Sequence, residues 1–302
     1  MTDLLYTDPE NEGVRLDVFL TGVYPAKSRS YFTKLIKDGH VLVDGCPQKA
    51  GALLKADQEV TIDFPEDVPL EVLPENIPLD IVYEDSDVIL VNKPKGMVVH
   101  PAAGHTSGTL VNALLYHCSD LSGINGVLRP GIVHRIDMDT TGIVIACKND
   151  VSHNKIAEQL KEHSITRAYY ALVHGGFNEE GGTIDLPIGR DPKDRKKMAV
   201  RENGKHAVTH YEVVTRYQGY TLLRMRLETG RTHQIRVHMA HEGHPLVGDP
   251  LYGVKKEKIH STGQCLHAYL LGFEHPSSGE YMEFSAPLPE EFSGILESLK
   301  PL

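Results

Sequence analysis

Pro65, Pro69, Pro74 and Pro78 all fall within residues 64–79. No helix or ladder strand runs through prolines this close together, because each one fixes φ and removes a backbone donor. The stretch therefore reads as an extended, stiff linker. It divides the chain into a small module at 1–63 and a larger domain at 80–302, in keeping with the usual size of about 100–200 residues per domain.

The small module has its own helical signals. Leu16, Phe19, Leu20 and Val23 recur at i, i+3, i+4 and i+7. A second helix starts after Ser28 or Ser30, carries Phe32, Leu35 and Ile36 on one side, and stops at Gly39. Val41-Leu42-Val43 and Glu59-Val60-Thr61-Ile62 read as strands, the first turned by Asp44-Gly45. Lys27, Arg29, Lys34 and Lys37 give the second helix and its approach a basic side. The ordered pattern over 15–63, with Arg15-Leu16-Asp17, Ser28-Arg29-Ser30, Leu35-Ile36, Gly39, Val41, Val43, Gly45 and Ala56-Asp57, resembles the S-four RNA-binding module. The resemblance implies that the second helix and adjoining loop grip structured RNA.

Charge sharpens this division. The chain carries a net charge of −10, yet residues 1–80 hold 15 Asp/Glu against 7 Lys/Arg, a net of −8, so the remaining 222 residues stand near balance at −2. A basic stripe, not the total, decides whether a polyanion binds. Seven basic residues lie between 190 and 205, Lys196 and Lys197 among them, against Asp191, Asp194 and Glu202. No apolar run approaches the roughly 20 residues a bilayer requires, and the N-terminus lacks a basic region followed by an apolar stretch. Cys46, Cys118, Cys147 and Cys265 lie far apart with no CxxC pair, so buried thiols in a reducing, cytoplasmic setting are expected.

Beyond residue 80, short apolar runs outnumber helical patterns and are often joined directly. This predicts an α+β fold with a mixed, largely antiparallel sheet. Three segments place ionisable groups where burial is expected. Gly131 to Ile145 sets His134, Arg135, Asp137 and Asp139 between two strand-like stretches. In Thr229 to Met239, Arg236 sits among apolar neighbours and needs a carboxylate. A bidentate aspartate would satisfy it and stay ionised. Spacing does not decide between helix and strand there. A helix capped by Thr232 would bury Ile235 and Met239 and expose His238 and His241. The third segment, Arg167 to Val173, carries adjacent Tyr169 and Tyr170, which in a strand point to opposite faces.

Taken together, these segments resemble the RluA/RluD family of pseudouridine synthases. Its HRxDxxTxG signature stands as His134-Arg135-Ile136-Asp137-Met138-Asp139-Thr140-Thr141-Gly142, its tyrosine motif as Arg167 to Val173, and its arginine motif as Gly230 to Arg236. Val91-Asn92-Lys93-Pro94-Lys95-Gly96 and Gly243 to Tyr252 add to the match. The N-terminal module and linker are similar to the branch that acts on the large ribosomal subunit, the RluD-like one.

The resemblance implies a synthase-type catalytic domain in which Asp137 is the essential acid, Tyr169 stacks on the target base, Arg236 pairs with the aspartate, and Arg135 enters the RNA as the uridine leaves. It also places Arg231 and His233 against RNA. Uridine isomerisation needs no redox step or group donor, which agrees with the lack of a phosphate loop or dinucleotide fingerprint, so no cofactor or metal is expected. The expected partner is 23S ribosomal RNA, bound by a monomer without a protein partner. Transfer RNA as substrate and a non-catalytic ribosome-assembly factor are the alternatives. A metal hydrolase fits poorly, since His241-Glu242-Gly243-His244 is one residue short of the HExxH spacing.

Overall fold

The computed structural model describes residues 2–302 except 26, 65–71, 103, 125, 127 and 128. The chain forms two compact units, Met1–Pro69 and Leu70–Leu302. Residues 65–71 of the proline-rich stretch, Pro65 and Pro69 among them, lie outside the described residues. Its described part has neither helix nor strand, but it is not a free spacer. Val72 is buried in the core of the larger unit, and Asn112 donates to the Leu73 carbonyl at 2.8 Å.

The smaller unit packs two helices on a four-stranded sheet. Its elements are β1 (Thr2–Tyr6), α1 (Leu16–Val23), α2 (Arg29–Lys37), β2 (Val41–Val43), β3 (Cys46–Pro47) and β4 (Glu59–Asp63), in sheet order β1-β4-β2-β3. Ser28 caps α2, its hydroxyl accepting from the Tyr31 amide, and Gly39 follows the helix at φ +84°. Asp44 and Gly45, at φ 50° and 71°, make the tight β2–β3 turn. Cys46 follows on the sheet's outer strand and is exposed, contrary to the expectation of four buried thiols. The strand β1 had no sequence signal; it pairs with β4 along its whole length. Asp17, 2% exposed, accepts from both Arg15 and Arg29. The Arg15 hydrogen bond is the largest influence holding its pKa down at about 2. Arg29 is thus committed to an internal ion pair, while Lys27, Lys34 and Lys37 stand exposed.

The larger unit begins with β5 (Ile81–Glu84), β6 (Val88–Lys93), α3 (Leu110–His117), β7 (Thr141–Cys147) and α4 (Asp150–Glu162). It continues with β8 (Thr166–His174), β9 (Gly181–Asp185), β10 (Ile188–Arg190), β11 (Met198–Val200), β12 (Val208–Tyr217) and β13 (Tyr220–Leu227). It ends with α5 (Gln234–His241), β14 (Leu266–Glu274), β15 (Tyr281–Ser285) and α6 (Glu290–Ser298). The main sheet runs β5-β6-β7-β14-β8-β13-β12-β9, with β15 also on β14, while β10 and β11 form a separate hairpin. Among the described residues only β7 and β14 pair in parallel, so the sheet is mixed and largely antiparallel.

Strand alternation sorts this sheet's two faces. Ile89, Val91, Val144, Ala146, Tyr169 and Ala171 join one core with Leu110 and Leu114 of α3 and Ile235 and Met239 of α5. Their neighbours Val88, Leu90, Ile143 and Ile145 point the other way, onto Ile156 of α4. Burial on both faces is why these strands read as unbroken apolar runs. Tyr169 therefore shares a face with α5, whereas Tyr170 stacks on Tyr269 at 4.2 Å between ring centres.

Where β7 meets β14, Gly142 sits at φ +111°, and a Cβ there would lie 2.1 Å from the Ala268 carbonyl oxygen. No L side chain fits, so Gly142→Ala should cost about 3 kcal/mol or more. Urea unfolding would measure it; a loss below about 1 kcal/mol would mean that the two strands part without penalty.

Candidate active site

Two segments on the same face of the sheet bring the charged residues together. The first is the loop at 131–140. Its upstream half is not the expected strand. It makes a single bridge, Ile132 to Ala146, and then turns at Asp137, whose carbonyl accepts from the Thr140 amide at 3.1 Å. Lys93, completely buried at the end of β6, donates to the carbonyls of Pro94, Met97 and Met138 at 2.8, 2.8 and 2.9 Å. It thereby fixes the residue next to Asp137. Burial draws the Lys93 pKa down to about 7, with the Asp139 and Asp137 charges opposing.

The second segment is α5 and its approach. The N-cap position belongs to His233, in the left-handed region at φ 56°, and not to Thr232. The Gln234 side chain ties this helix start down: it accepts from the Thr229 hydroxyl and the Arg231 amide and donates to the Val208 carbonyl. His238, expected to be exposed, is fully buried. Its ring nitrogens are satisfied by the Thr209 hydroxyl and the Leu186 carbonyl, both at 2.9 Å, which lets a polar ring enter the core.

Arg236, 4% exposed, joins the two segments. Its Nη1 donates to Asp137 Oδ2 at 2.8 Å, and its Nε and Nη2 donate to Asp249 at 2.7 and 2.9 Å. The bidentate partner is therefore Asp249, whose side chain is wholly buried and also accepts from the amides of Leu251 and Tyr252. Burial pushes Asp249 upward, but Arg236 and these amides outweigh it and its pKa is lowered. Burial likewise opposes the charge on Arg236, and the two carboxylates prevail, raising its pKa. Asp249 lies in the Gly243–Tyr252 motif but had no assigned role. A buried arginine that offers one N–H to an acid in a loop still needs a partner for its remaining fork, and that need was the available signal.

The Asp137 side chain, 21% exposed, opens into a cleft of about 430 Å³ that Tyr169, Arg236, His134, Arg135 and Arg167 also line. Arg231 and His233 line it as well. Arg231 donates to the His206 carbonyl, and the His233 Nδ1 bonds the Tyr252 hydroxyl at 2.8 Å. Arg135 is exposed at the mouth and donates to Thr232. Tyr169 is 7% exposed, and burial raises its pKa, so its phenol stays protonated. Arg167, also 7% exposed, donates to the Glu228 carbonyl and has no carboxylate partner among the described residues. Lys196 and Lys197 do not line the cleft. They sit on the β10–β11 hairpin, whose Met198 amide donates to Tyr252. Lys27, Arg29, Lys34 and Lys37 belong to the smaller unit.

His134 shows how tightly the site is built. The Ile145 amide donates to its Nε2 at 3.1 Å, which puts the ring's single proton on Nδ1. Burial, helped by the Arg167 charge, lowers its pKa from 6.5 to about 3. Between those values the unfolded chain carries a proton that the folded chain lacks, so stability falls as pH drops through that window. Urea midpoints at pH 7 and 4.5 should therefore separate more for the native chain than for His134→Asn; equal losses would show that this imidazole stays out of the balance.

Comparison with known proteins identifies the family. A model of the family described as RNA pseudouridylate synthase matches residues 87–241, and an S4 domain model matches residues 14–60. The chain is 53% identical to the uncharacterized RNA pseudouridine synthase YlyB of Bacillus subtilis (strain 168), over 96% of each chain. It is 44% identical to ribosomal large subunit pseudouridine synthase D of Pseudomonas aeruginosa, covering 95% of this chain and 92% of the relative. The solved human RNA pseudouridylate synthase domain containing 1 superposes with a TM-score of 0.61 at 26% identity, covering 76% of this chain and 90% of that one. With the family model spanning just over half of the chain and relatives aligned over nearly all of it, the chain belongs to the RNA pseudouridylate synthase family and is an RNA pseudouridine synthase, an isomerase.

Proposed function

We propose that this chain converts specific uridines to pseudouridine in large-subunit (23S) ribosomal RNA, with Asp137 as its catalytic acid group, Tyr169 as the base platform and Arg236 as the partner of Asp137. The observation that carries this reading is the single Asp137 carboxylate, presented to an open cleft by a guanidinium that is itself anchored on Asp249. Isomerisation breaks the bond from base nitrogen to sugar, turns the ring, and rejoins it through carbon 5. Either route begins with a carboxylate beside the sugar, taking a proton at the 2′ position or attacking the anomeric carbon.

The uridine must leave its stack to reach Asp137, and an aromatic ring offsets part of the loss, at about 1–3 kcal/mol per base. Tyr169 faces the cleft from β8 and supplies that ring. Arg135, exposed at the mouth, fills the space the base vacates. Arg167, a buried cation without an acidic partner among the described residues, offsets negative charge on the detached base. Carbon 5 must finally lose its proton: the Tyr169 phenol oxygen takes it while passing its own proton to the Asp137 carboxylate in the same cleft.

The ribosomal target is supported by the name of the Pseudomonas aeruginosa relative and by the S4 domain match, together with the exposed Lys27, Lys34 and Lys37 on and before α2. Lys196, Lys197, Arg231 and His233 add RNA contacts on the larger unit. The reading is of a monomer, and a ribosomal RNA substrate fits a cytoplasmic setting. No described helix is long and apolar enough to cross a membrane.

Mapping pseudouridines across total RNA with and without the protein tests the target. Sites lost from large-subunit RNA alone are expected, and sites lost only from transfer RNA would overturn the assignment. For Tyr169→Phe, base flipping should persist while kcat falls by about 100-fold, the scale of one general acid–base group, with KM within about threefold. Native turnover by that variant would remove the hydroxyl from the reaction.

A further inference from the structure

A second hollow, of about 330 Å³, adjoins the cleft and shares Arg135, Ile136, Asp137, His233 and Arg236 with it. Val98, Val99, Pro250 and Leu251 give it apolar walls, and His100, Asp139 and Gln264 give it polar ones. These three have no place in the reaction above, and each keeps a hydrogen-bonding atom that the described residues do not use.

Gln264 is 1% exposed. Its amide nitrogen is used on the Thr140 hydroxyl at 3.1 Å, and its Oε1 has no partner. Asp139 makes no hydrogen bond with the described residues and packs on Gly263, where a Cβ would lie 2.6 Å from its own. His100 is 5% exposed, its Nδ1 is also unpartnered, and burial with Arg129 and Arg135 nearby lowers its pKa, keeping the ring neutral. Unmade hydrogen bonds on buried groups are costly. Two free acceptors and a neutral imidazole between apolar walls describe a site for a flat ring that carries donors on its edge.

We propose that this hollow receives the base of a nucleotide adjoining the target uridine, and that it selects a base with an exocyclic amino group. The idea rests on the uridine occupying the first cleft. Flipping that uridine unstacks its neighbours in the same strand, and the five shared residues put the second hollow beside the first. An amino group offers two N–H donors to the Gln264 and Asp139 oxygens. Uracil offers one N–H between two carbonyl oxygens, which would face those acceptors and be repelled.

The test uses short RNAs carrying the mapped uridine. Each neighbour is varied among the four bases and among analogues stripped of the amino group, and kcat/KM for pseudouridine formation is measured. The native protein should favour an amino-bearing base at one neighbour by about tenfold or more, within the range of a good base-edge contact. Gln264→Met and His100→Phe should still convert the target but lose that preference to within about twofold. Indifference of the native protein to both neighbours, or a preference that survives in both variants, would overturn the proposal. Conversion of the same RNAs by Asp137→Asn protein would instead overturn the placement of the uridine, and this inference with it.

Discussion

One guanidinium holds the site together. Arg236 lies almost fully buried in α5, and a charge there is tolerable only if its donors are met. Asp249 takes Nε and Nη2, in the paired geometry that an arginine fork favours. That leaves Nη1 aimed at Asp137 from a fixed direction. Asp249 is fixed in turn by the amides of Leu251 and Tyr252, and the Tyr252 hydroxyl reaches both His233 and the Met198 amide. The acid of the cleft is thus oriented by a chain of contacts through three separate segments, and loss of either outer partner would leave a buried charge exposed to the penalty of about 3–5 kcal/mol typical of broken buried pairs.

The sheet makes this meeting possible. The loop carrying Asp137 enters β7, and Tyr169 stands on β8, two positions away across β14. Both belong to the face that α3 and α5 cover, so Asp137, Tyr169 and Arg236 converge although up to 99 residues separate them in sequence. Gly142 keeps β7 tight against β14, and Lys93 supports the loop from below. The signature around Asp137 therefore combines chemistry with packing: one residue presents a carboxylate, and the glycine five residues later lets the strand beneath it close.

Much of this was legible from residue order alone. The mixed antiparallel sheet, the cap at Ser28, the glycine after α2 and the opposite facing of Tyr169 and Tyr170 all follow from short-range rules that the tertiary structure leaves intact. Misreadings arose where distant partners decide the outcome. Spacing left helix and strand open around His238; the helical reading would expose it, yet it is buried because Thr209 and Leu186, far away in sequence, satisfy its ring. His233, not Thr232, begins α5, since the Gln234 side chain and Tyr252 hold that turn. The need of Arg236 for a bidentate carboxylate was legible, but its identity as Asp249 was not, because nothing in a Gly-Asp-Pro turn announces a buried arginine thirteen residues earlier. Likewise β1, short and half-exposed, exists only by pairing with β4.

The central claim is that the carboxylate on Asp137 starts the rearrangement of a uridine within RNA. Its most direct measurement is single-turnover pseudouridine formation by purified Asp137→Asn protein on a large-subunit RNA fragment, read beside the binding affinity for the same fragment. The account predicts affinity close to that of the native chain and no detectable pseudouridine. Measurable conversion by that variant would contradict it.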